Sequence, residues 1–245
     1  MMRGVAAGIA LFVTLFAVGC AGTEQAAAPP EAQAPGVDRT AAAQAFVRAS
    51  LAGKNPVRDA AVPKGFRLRE SRTDNVALAF PHGWQALTSM DARFPGVMQM
   101  FGKLNHGLAT ALGALSLPDG PLKLVGFDPR TLHGLATTAT VMVVRADPDA
   151  PYPEWSAGII RYTRGLPSVH GPIRARKVDH PLGSALRLDY VRRYGSGPRI
   201  ATIQFVVNSG ETGYIVTYST HPKLMKRYAA QFAASARTLR QAEPA

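Results

Sequence analysis

The chain contains a single cysteine, Cys20, in 245 residues, so no internal disulfide can hold its core. Whatever fold it adopts must be stabilised by apolar burial. Cys20 follows a short apolar run over residues 5–18, which is preceded by the positive Arg3. Such a run is too short to span a bilayer as a stable helix, but it has the form of a bacterial secretion signal. Residues 1–19 are therefore predicted to be a lipoprotein signal peptide that is removed.

The position of Cys20 predicts that its thiol is acylated. Gly19, a small residue, precedes it, and a diacylglyceryl group would anchor the mature chain in membrane lipid. Two acyl chains such as palmitate give stable anchoring, because each buried methylene contributes about 0.8 kcal/mol. An ordinary cleaved signal with an incidental cysteine is the alternative, since Ala17 stands where lipoprotein signals usually have leucine. Acylation would make this an exported protein, anchored to the outer face of the cell membrane.

Behind Cys20 the chain divides into a tether and a domain. Residues 21–36 contain six alanines and three prolines and cannot bury a core, so they are expected to extend as a linker. A short helix is a candidate over residues 37–51. We assign residues 20–64 to the lipidated cysteine and tether, 65–240 to one domain that is expected to be monomeric, and 241–245 to a tail.

Hydrophobic periodicity predicts an α+β domain with a mainly antiparallel sheet. A hairpin is expected where residues 66–69 and 76–80 flank a turn-like segment, followed by a long amphipathic helix over residues 91–115. Two central strands are then expected over residues 122–127 and 138–146, and a three-stranded meander over 186–194, 200–208 and 213–220. A closing helix is expected over residues 222–240. Each meander strand should bury one face. Residues 148–181 predict only a short helix around 154–161.

Two local motifs resemble a known fold family. VALAFPHGW at residues 76–84 resembles the strand-Pro-x-Gly-Trp opening of the Mog1/PsbP-like α/β/α sandwich, and TGYIVTY at 212–218 resembles its last strand. A closing helix with Phe232 and Ser235 extends the likeness, and the signal and tether make the chain similar to the LpqN lipoproteins of actinobacteria. The resemblance covers about residues 66–239. It implies helices on both faces of the sheet, no cofactor, and an adaptor or ligand-binding role in the envelope, where some such lipoproteins assist glycolipid transport.

Basic residues predict a negatively charged partner. The formal net charge is +12, and residues 161–199 hold nine basic residues against two acidic ones. Such an excess attracts anionic lipid headgroups or phosphates, although charge runs are usually solvated surface. Nucleic acid is not expected, because no basic motif of a nucleic-acid module is present. The candidate headgroup-binding residues are Arg161, Arg174 and Arg187, and the candidate acyl-chain-binding residues are Met98, Phe101 and Leu104.

Motifs for catalysis or metal binding are absent from the sequence. It has no G-x-S-x-G, S-x-x-K, H-E-x-x-H, P-loop or C-x-x-C pattern. Its six histidines show no helical ligand spacing, so no metal site and no cofactor are predicted. Asp189 is expected to pair with neighbouring arginines. The tyrosines 190, 194, 214 and 218 either line a pocket or pack in the core.

Two functions from different classes follow from these features. The first is a non-enzymatic lipoprotein that binds an amphiphilic envelope lipid or glycolipid, or that serves as an adaptor for a transport-complex protein. The second is a hydrolase or transferase of the cell envelope whose active site is dispersed along the chain. The missing catalytic motifs favour the first function.

Overall fold

A computed structural model of the protein describes residues 61–89, 91, 96, 120–132 and 135–242. Cys20, the tether and the candidate acyl-chain residues Met98, Phe101 and Leu104 lie outside these ranges. So does the predicted helix 91–115, except for Asp91 and Gly96. Within the described ranges no helix is both long and apolar enough to cross a membrane.

The described chain forms nine strands and two α-helices. Seven strands make one antiparallel sheet in the order β3-β4-β5-β9-β8-β7-β6, while β1 and β2 form a separate hairpin. The strands are β1 Phe66–Ser71, β2 Val76–Pro81, β3 Gln85–Thr88, β4 Leu122–Leu132, β5 Leu135–Arg145, β6 Val169–His180, β7 Gly183–Arg192, β8 Ile200–Ser209 and β9 Thr212–Thr220. The helices are α1 Tyr152–Gly165 and α2 Met225–Ala236, and a 3-10 turn, Pro222–Leu224, precedes α2. The predicted hairpin, central strands and meander are confirmed.

Helices cover both faces of the seven-stranded sheet. In β8, Phe205 belongs to a core that includes Phe232 of α2, and we call it the α2-side core. The next residue, Val206, belongs to a second core against Trp155 of α1, the α1-side core. Successive residues of a strand point to opposite faces, so α1 and α2 lie on opposite sides of the sheet. The predicted α/β/α layering is confirmed, but β8 and β9 bury both faces and not the single face that was expected.

A β-bulge in β4 makes two leucines point to opposite faces. Leu122 packs in the α1-side core and Leu124 in the α2-side core, although residues two apart in a regular strand share a face. The pairing register shifts between them, at Lys123. The Lys123 ammonium forms a salt bridge of 2.8 Å with Asp74 in the β1–β2 turn. This pair ties the hairpin to the sheet.

A second shift in β4 follows Asp128, which connects this strand to α2. Its carboxylate accepts a hydrogen bond of 2.6 Å from the Tyr228 hydroxyl and one of 2.7 Å from the Arg130 guanidinium. Burial alone would raise the pKa of Asp128, but the hydrogen bonds from Arg130 and Tyr228 outweigh it and lower the pKa to about 2. Asp128 is therefore ionised at neutral pH and holds α2 in place.

The segment after α2 completes the edge of β2. The closing helix was expected to continue to Arg240, but α2 ends at Ala236 and the chain then pairs with the hairpin. Thr238 Oγ1 accepts a hydrogen bond of 2.8 Å from the Ala79 amide, and Ser235 Oγ donates one of 2.6 Å to the Ala79 carbonyl. The end of the domain thus satisfies backbone groups that a free strand edge would leave open.

Candidate ligand cleft

A cleft of about 520 Å³ lies between the first hairpin and the sheet. The chain leaves β2 at Pro81, turns at Gly83 with a φ of 86°, and enters β3. A positive φ favours glycine, because a side chain would be strained there. Among the described strands, β1 pairs only with β2 and β3 only with β4. The cleft is the space that remains between β1 and β3.

Apolar side chains of the cleft are fixed by an aromatic cluster. Leu68, Phe80 and Trp84 contribute to the lining. The Trp84 ring lies 6.5 Å from Phe80 and makes edge contacts with two aromatics of α2, at 6.3 Å from Tyr228 and 6.4 Å from Phe232. These centroid distances are typical of favourable aromatic pairs. Phe80 and Trp84 therefore join the cleft to the α2-side core.

Gly126 of β4 is required for the position of Phe80. A Cβ atom added at Gly126 would lie 2.2 Å from the Phe80 ring, closer than non-bonded carbon atoms approach each other. The absence of a side chain on Gly126 lets the Phe80 ring lie directly against β4. The shape of the cleft thus depends on a residue that does not itself line it.

One uncompensated positive charge faces the cleft. Arg67 is exposed and has no ion-pair partner among the described residues, whereas Arg69 forms a salt bridge with Asp91. The Asp91 carboxylate also accepts a hydrogen bond of 3.1 Å from the Thr88 amide. Asp91 is therefore held between Arg69 and the end of β3. Arg67 is paired in register with Phe80, and directly opposed residues in an antiparallel pair share a face. The Arg67 side chain and the Phe80 ring therefore belong to the same side of the hairpin.

The cleft has the groups for binding but not for nucleophilic catalysis. Its described lining includes no serine, threonine, cysteine or carboxylate. The one imidazole, His82, donates through Nε2 to the Phe66 carbonyl at 3.1 Å and so closes the turn. His180 is similarly engaged, with Nε2 donating to the Ala236 carbonyl at 2.8 Å. The described residues contain no group of three or more His, Cys, Asp or Glu side chains that could hold a metal ion.

The three arginines that sequence analysis named do not form one cluster. Arg161 is exposed on α1, while Arg174 of β6 and Arg187 of β7 lie on the opposite face of the sheet. Arg187 stacks on the Phe205 ring at 5.6 Å and donates to Asp189 at 2.7 Å. The predicted pairing of Asp189 with neighbouring arginines is thus confirmed. A headgroup-binding role for Arg161, Arg174 and Arg187 stays a prediction.

The four tyrosines separate into two groups. Tyr214 and Tyr218 are buried in the α2-side core, where Tyr218 stacks on Phe232 at 4.7 Å. Tyr190 and Tyr194 pack in the α1-side core beside Arg192. The core interpretation therefore holds for Tyr214 and Tyr218.

Sequence reasoning missed Arg67 and Trp84 as site residues. Both stood in segments that it had assigned, Arg67 in the first strand and Trp84 in the Pro-x-Gly-Trp motif. The alternation of Arg67 and Arg69 with apolar residues was the available signal. It places both arginines on the same side of the hairpin as the buried Phe80, where apolar residues are more usual. Only the packing of the hairpin beside β3 shows that these residues line one cleft.

Several solved structures are similar to this chain, three of which are PsbP, Mog1p and LpqN. PsbP from the cyanobacterium Synechocystis is 10% identical with a TM-score of 0.45, and the match covers 74% of this chain and 94% of that one. The Ran-binding protein Mog1p of Saccharomyces cerevisiae is 11% identical with a TM-score of 0.43, covering 72% and 95%. LpqN of Mycobacterium tuberculosis, described as involved in cell envelope biogenesis, is 11% identical with a TM-score of 0.40, covering 75% and 93%.

No protein-family model and no curated protein sequence matches the chain. The likeness to the solved structures concerns the course of the backbone alone and says nothing of function. The layer order follows from the protein's own structure, in which α1 and α2 flank an antiparallel sheet. The chain has the α+β sandwich that its resemblance to Mog1/PsbP-like proteins implied.

Proposed function

We propose that this protein is a non-enzymatic envelope lipoprotein whose cleft binds an amphiphilic molecule with a negatively charged headgroup. The observation that carries the proposal is a cleft that combines apolar lining from Leu68, Phe80 and Trp84 with Arg67, which has no ion-pair partner within the described ranges. An anionic headgroup would lie at Arg67, and an acyl chain would lie along the three apolar side chains. The missing nucleophile in the described lining supports binding and not hydrolysis.

The size and chemistry of the cleft suit such a ligand. Small-molecule sites usually have volumes of roughly 300–1,000 Å³ and are lined by apolar side chains with a few polar groups that set orientation. A volume of about 520 Å³ falls in this range. Each methylene that leaves water contributes about 0.8 kcal/mol, so a short acyl segment is sufficient for measurable affinity. The charge then selects anionic over zwitterionic headgroups.

Trp84 allows the binding to be measured by fluorescence. The chain has two tryptophans, and Trp155 belongs to the opposite face of the sheet, so Trp155→Phe leaves Trp84 as the reporter. We expect the mature Cys20→Ser chain to show a saturable change with lysophosphatidylglycerol below its critical micelle concentration. Lysophosphatidylcholine should bind more weakly, because its headgroup carries no net charge.

Arg67→Gln is expected to weaken binding of lysophosphatidylglycerol by roughly 5- to 30-fold, which corresponds to about 1–2 kcal/mol for a charged hydrogen bond at a partly exposed site. The difference should shrink at high salt, since exposed charges are screened. Arg164→Gln is the matched control, because it removes an exposed arginine from the last turn of α1, on the opposite face of the sheet. Equal affinities of the two variants, or no saturable signal with either lipid, would contradict the proposal and leave an adaptor role.

The anchor is tested separately. We propose that Cys20 is acylated after removal of residues 1–19, so Cys20→Ser should release the protein from membranes or leave an uncleaved precursor. Membrane fractionation with detection of the precursor and mature forms measures both outcomes. Normal cleavage together with unchanged membrane retention would rule out lipidation at Cys20.

A further inference from the structure

Arg192, the last residue of β7, carries a largely buried positive charge without a carboxylate partner among the described residues. Its Nε donates to Thr202 Oγ1 at 3.2 Å, its Nη1 to the Tyr194 hydroxyl at 3.1 Å, and its Nη2 to Ser219 Oγ at 3.0 Å. The guanidinium also lies 5.8 Å from the centre of the Tyr190 ring and 5.9 Å from that of Tyr194. All of these partners are neutral.

Two other partly buried arginines of the described ranges are neutralised by carboxylates. Arg187 pairs with Asp189, and Arg69 pairs with Asp91. A charge removed from water without a counter-charge is strongly disfavoured, and hydroxyl dipoles offset this cost only in part. An anion that binds at Arg192 would supply the missing counter-charge. Arg192 keeps part of its surface exposed, so a small anion can reach it.

The hydroxyls around Arg192 can donate to such an anion. A hydroxyl that accepts a hydrogen bond from the guanidinium still has its own proton to donate. Thr202, Ser219 and Tyr194 therefore offer three O–H donors, and the guanidinium keeps two of its five N–H bonds beyond the three that it has used. The cluster combines one full positive charge with several donors and contains no negative group among the described residues.

The sheet face beside Arg192 carries a row of hydroxyl side chains. Thr202 is paired in register with Ser219, and Ser219 with Thr138, so the three hydroxyl side chains share one face across β8, β9 and β5. All three residues are buried. Buried hydroxyls in a protein core normally form hydrogen bonds. A row of hydroxyls beside an arginine without a counter-charge offers the donors that bind an oxyanion.

We propose that Arg192, Thr202, Ser219 and Tyr194 form a binding site for a phosphate group on the α1 side of the sheet. The phosphate comes either from free inorganic phosphate or from a phosphoester headgroup, since both present the same oxygens. This site lies on the opposite face from the cleft at Arg67 and does not depend on the function proposed for that cleft. The guanidinium pairs with two phosphate oxygens, and the hydroxyls donate to the others.

The test is a titration of the mature Cys20→Ser chain with inorganic phosphate and, separately, with glycerol 1-phosphate. Calorimetry and the phosphorus resonance of the probe are followed at constant ionic strength maintained with chloride. We expect saturable binding of at least one probe, weakened tenfold or more in Arg192→Met. Tighter binding of glycerol 1-phosphate indicates a phosphoester headgroup, and equal or tighter binding of inorganic phosphate indicates the free ion.

Two further variants keep the test decisive if Arg192→Met fails to fold. Ser219→Ala and Thr202→Val each remove one donor while the charge remains, and each should weaken phosphate binding severalfold. Arg145→Met is the control, because Arg145 is exposed at the end of β5 that is remote from Thr138, and it should bind phosphate as the parent chain does. Absence of saturable binding of both probes would overturn the proposal, as would affinities that Ser219→Ala, Thr202→Val and Arg192→Met leave unchanged.

Discussion

Replacing Phe232 by alanine is expected to lower the free energy of unfolding by about 3–5 kcal/mol, the usual range for a buried phenylalanine. Phe232 is 1% exposed. Its ring stacks between Tyr218 at 4.7 Å and Tyr228 at 5.6 Å and meets the edge of Trp84 at 6.4 Å. Truncation would leave a cavity among three large rings that cannot all collapse into it, because each is also fixed by another contact.

Chemical denaturation of Phe232→Ala measures this loss, and Gln231→Ala is its control. Gln231 is exposed on the same helix, so its truncation should change the free energy of unfolding by no more than about 0.5 kcal/mol. A loss below about 1 kcal/mol for Phe232→Ala, a size typical of surface positions, is not compatible with the aromatic cluster. Because Trp84 is in the cluster, the same variant should also alter the fluorescence of Trp84.

Asp74→Ala is expected to cost about 3–5 kcal/mol, the range for removing one partner of a buried ion pair. The Asp74 and Lys123 side chains are only 11% and 14% exposed, and they are 2.8 Å apart. Asp74 also accepts hydrogen bonds from Ser71 Oγ at 2.5 Å and Ser89 Oγ at 3.3 Å. The substitution therefore leaves a buried ammonium without a counter-charge and separates the hairpin turn from the sheet.

A double-mutant cycle with Lys123→Met separates the ion pair from the other bonds of Asp74. The double variant should recover part of the loss, since no unpaired charge remains. Glu70→Gln is the matched control, because its pair with Arg72 at 3.8 Å lies at the surface of the same hairpin and should contribute at most about 1 kcal/mol. A cost of Asp74→Ala no greater than that of Glu70→Gln would show that the pair does not tie the hairpin to the sheet.

The pH dependence of this contribution follows from Asp74. Burial opposes ionisation, but the hydrogen bonds from Lys123, Ser71 and Ser89 outweigh it and lower the pKa of Asp74 below its usual value of 3.8. A carboxyl with a depressed pKa in the folded state stabilises the fold above its unfolded pKa and loses that effect as the pH falls through the folded pKa. The difference between the parent chain and Asp74→Ala should therefore narrow below about pH 4.

Periodicity in the sequence predicted those elements whose apolar residues repeat over a full strand or helix. The meander and the hairpin have such repeats, so their registers follow from side-chain alternation. β3 was missed because Gln85–Thr88 has only four residues, too few to show a period. β6 was missed because it is an edge strand whose two faces are largely exposed, and proline and glycine interrupt its start.

The candidate site was harder to predict because its residues come together when the layers of the fold pack, and they are not neighbours in the sequence. Arg161, Arg174 and Arg187 belong to one basic stretch, but the sheet separates Arg161 from the other two. Arg67 and Trp84 line one cleft because of a turn and the packing of a hairpin beside β3. No local sequence pattern indicates that packing. Arg192 looked like any other basic residue of its stretch, since nothing local indicates that its partners are neutral hydroxyls on β8 and β9.

The bonds between β2 and the end of the domain bear on when the protein can finish folding. Ala79 is separated by 156 residues from Ser235 and by 159 from Thr238, yet it is bonded to both. Contacts over such distances along the chain form late, because the loop must close before they contribute any free energy. The hairpin that bounds the cleft therefore reaches its final position only after the last residues of the domain have become available to bond with it. For a chain exported as residues 1–19 predict, this order postpones completion of the candidate cleft until translocation has ended.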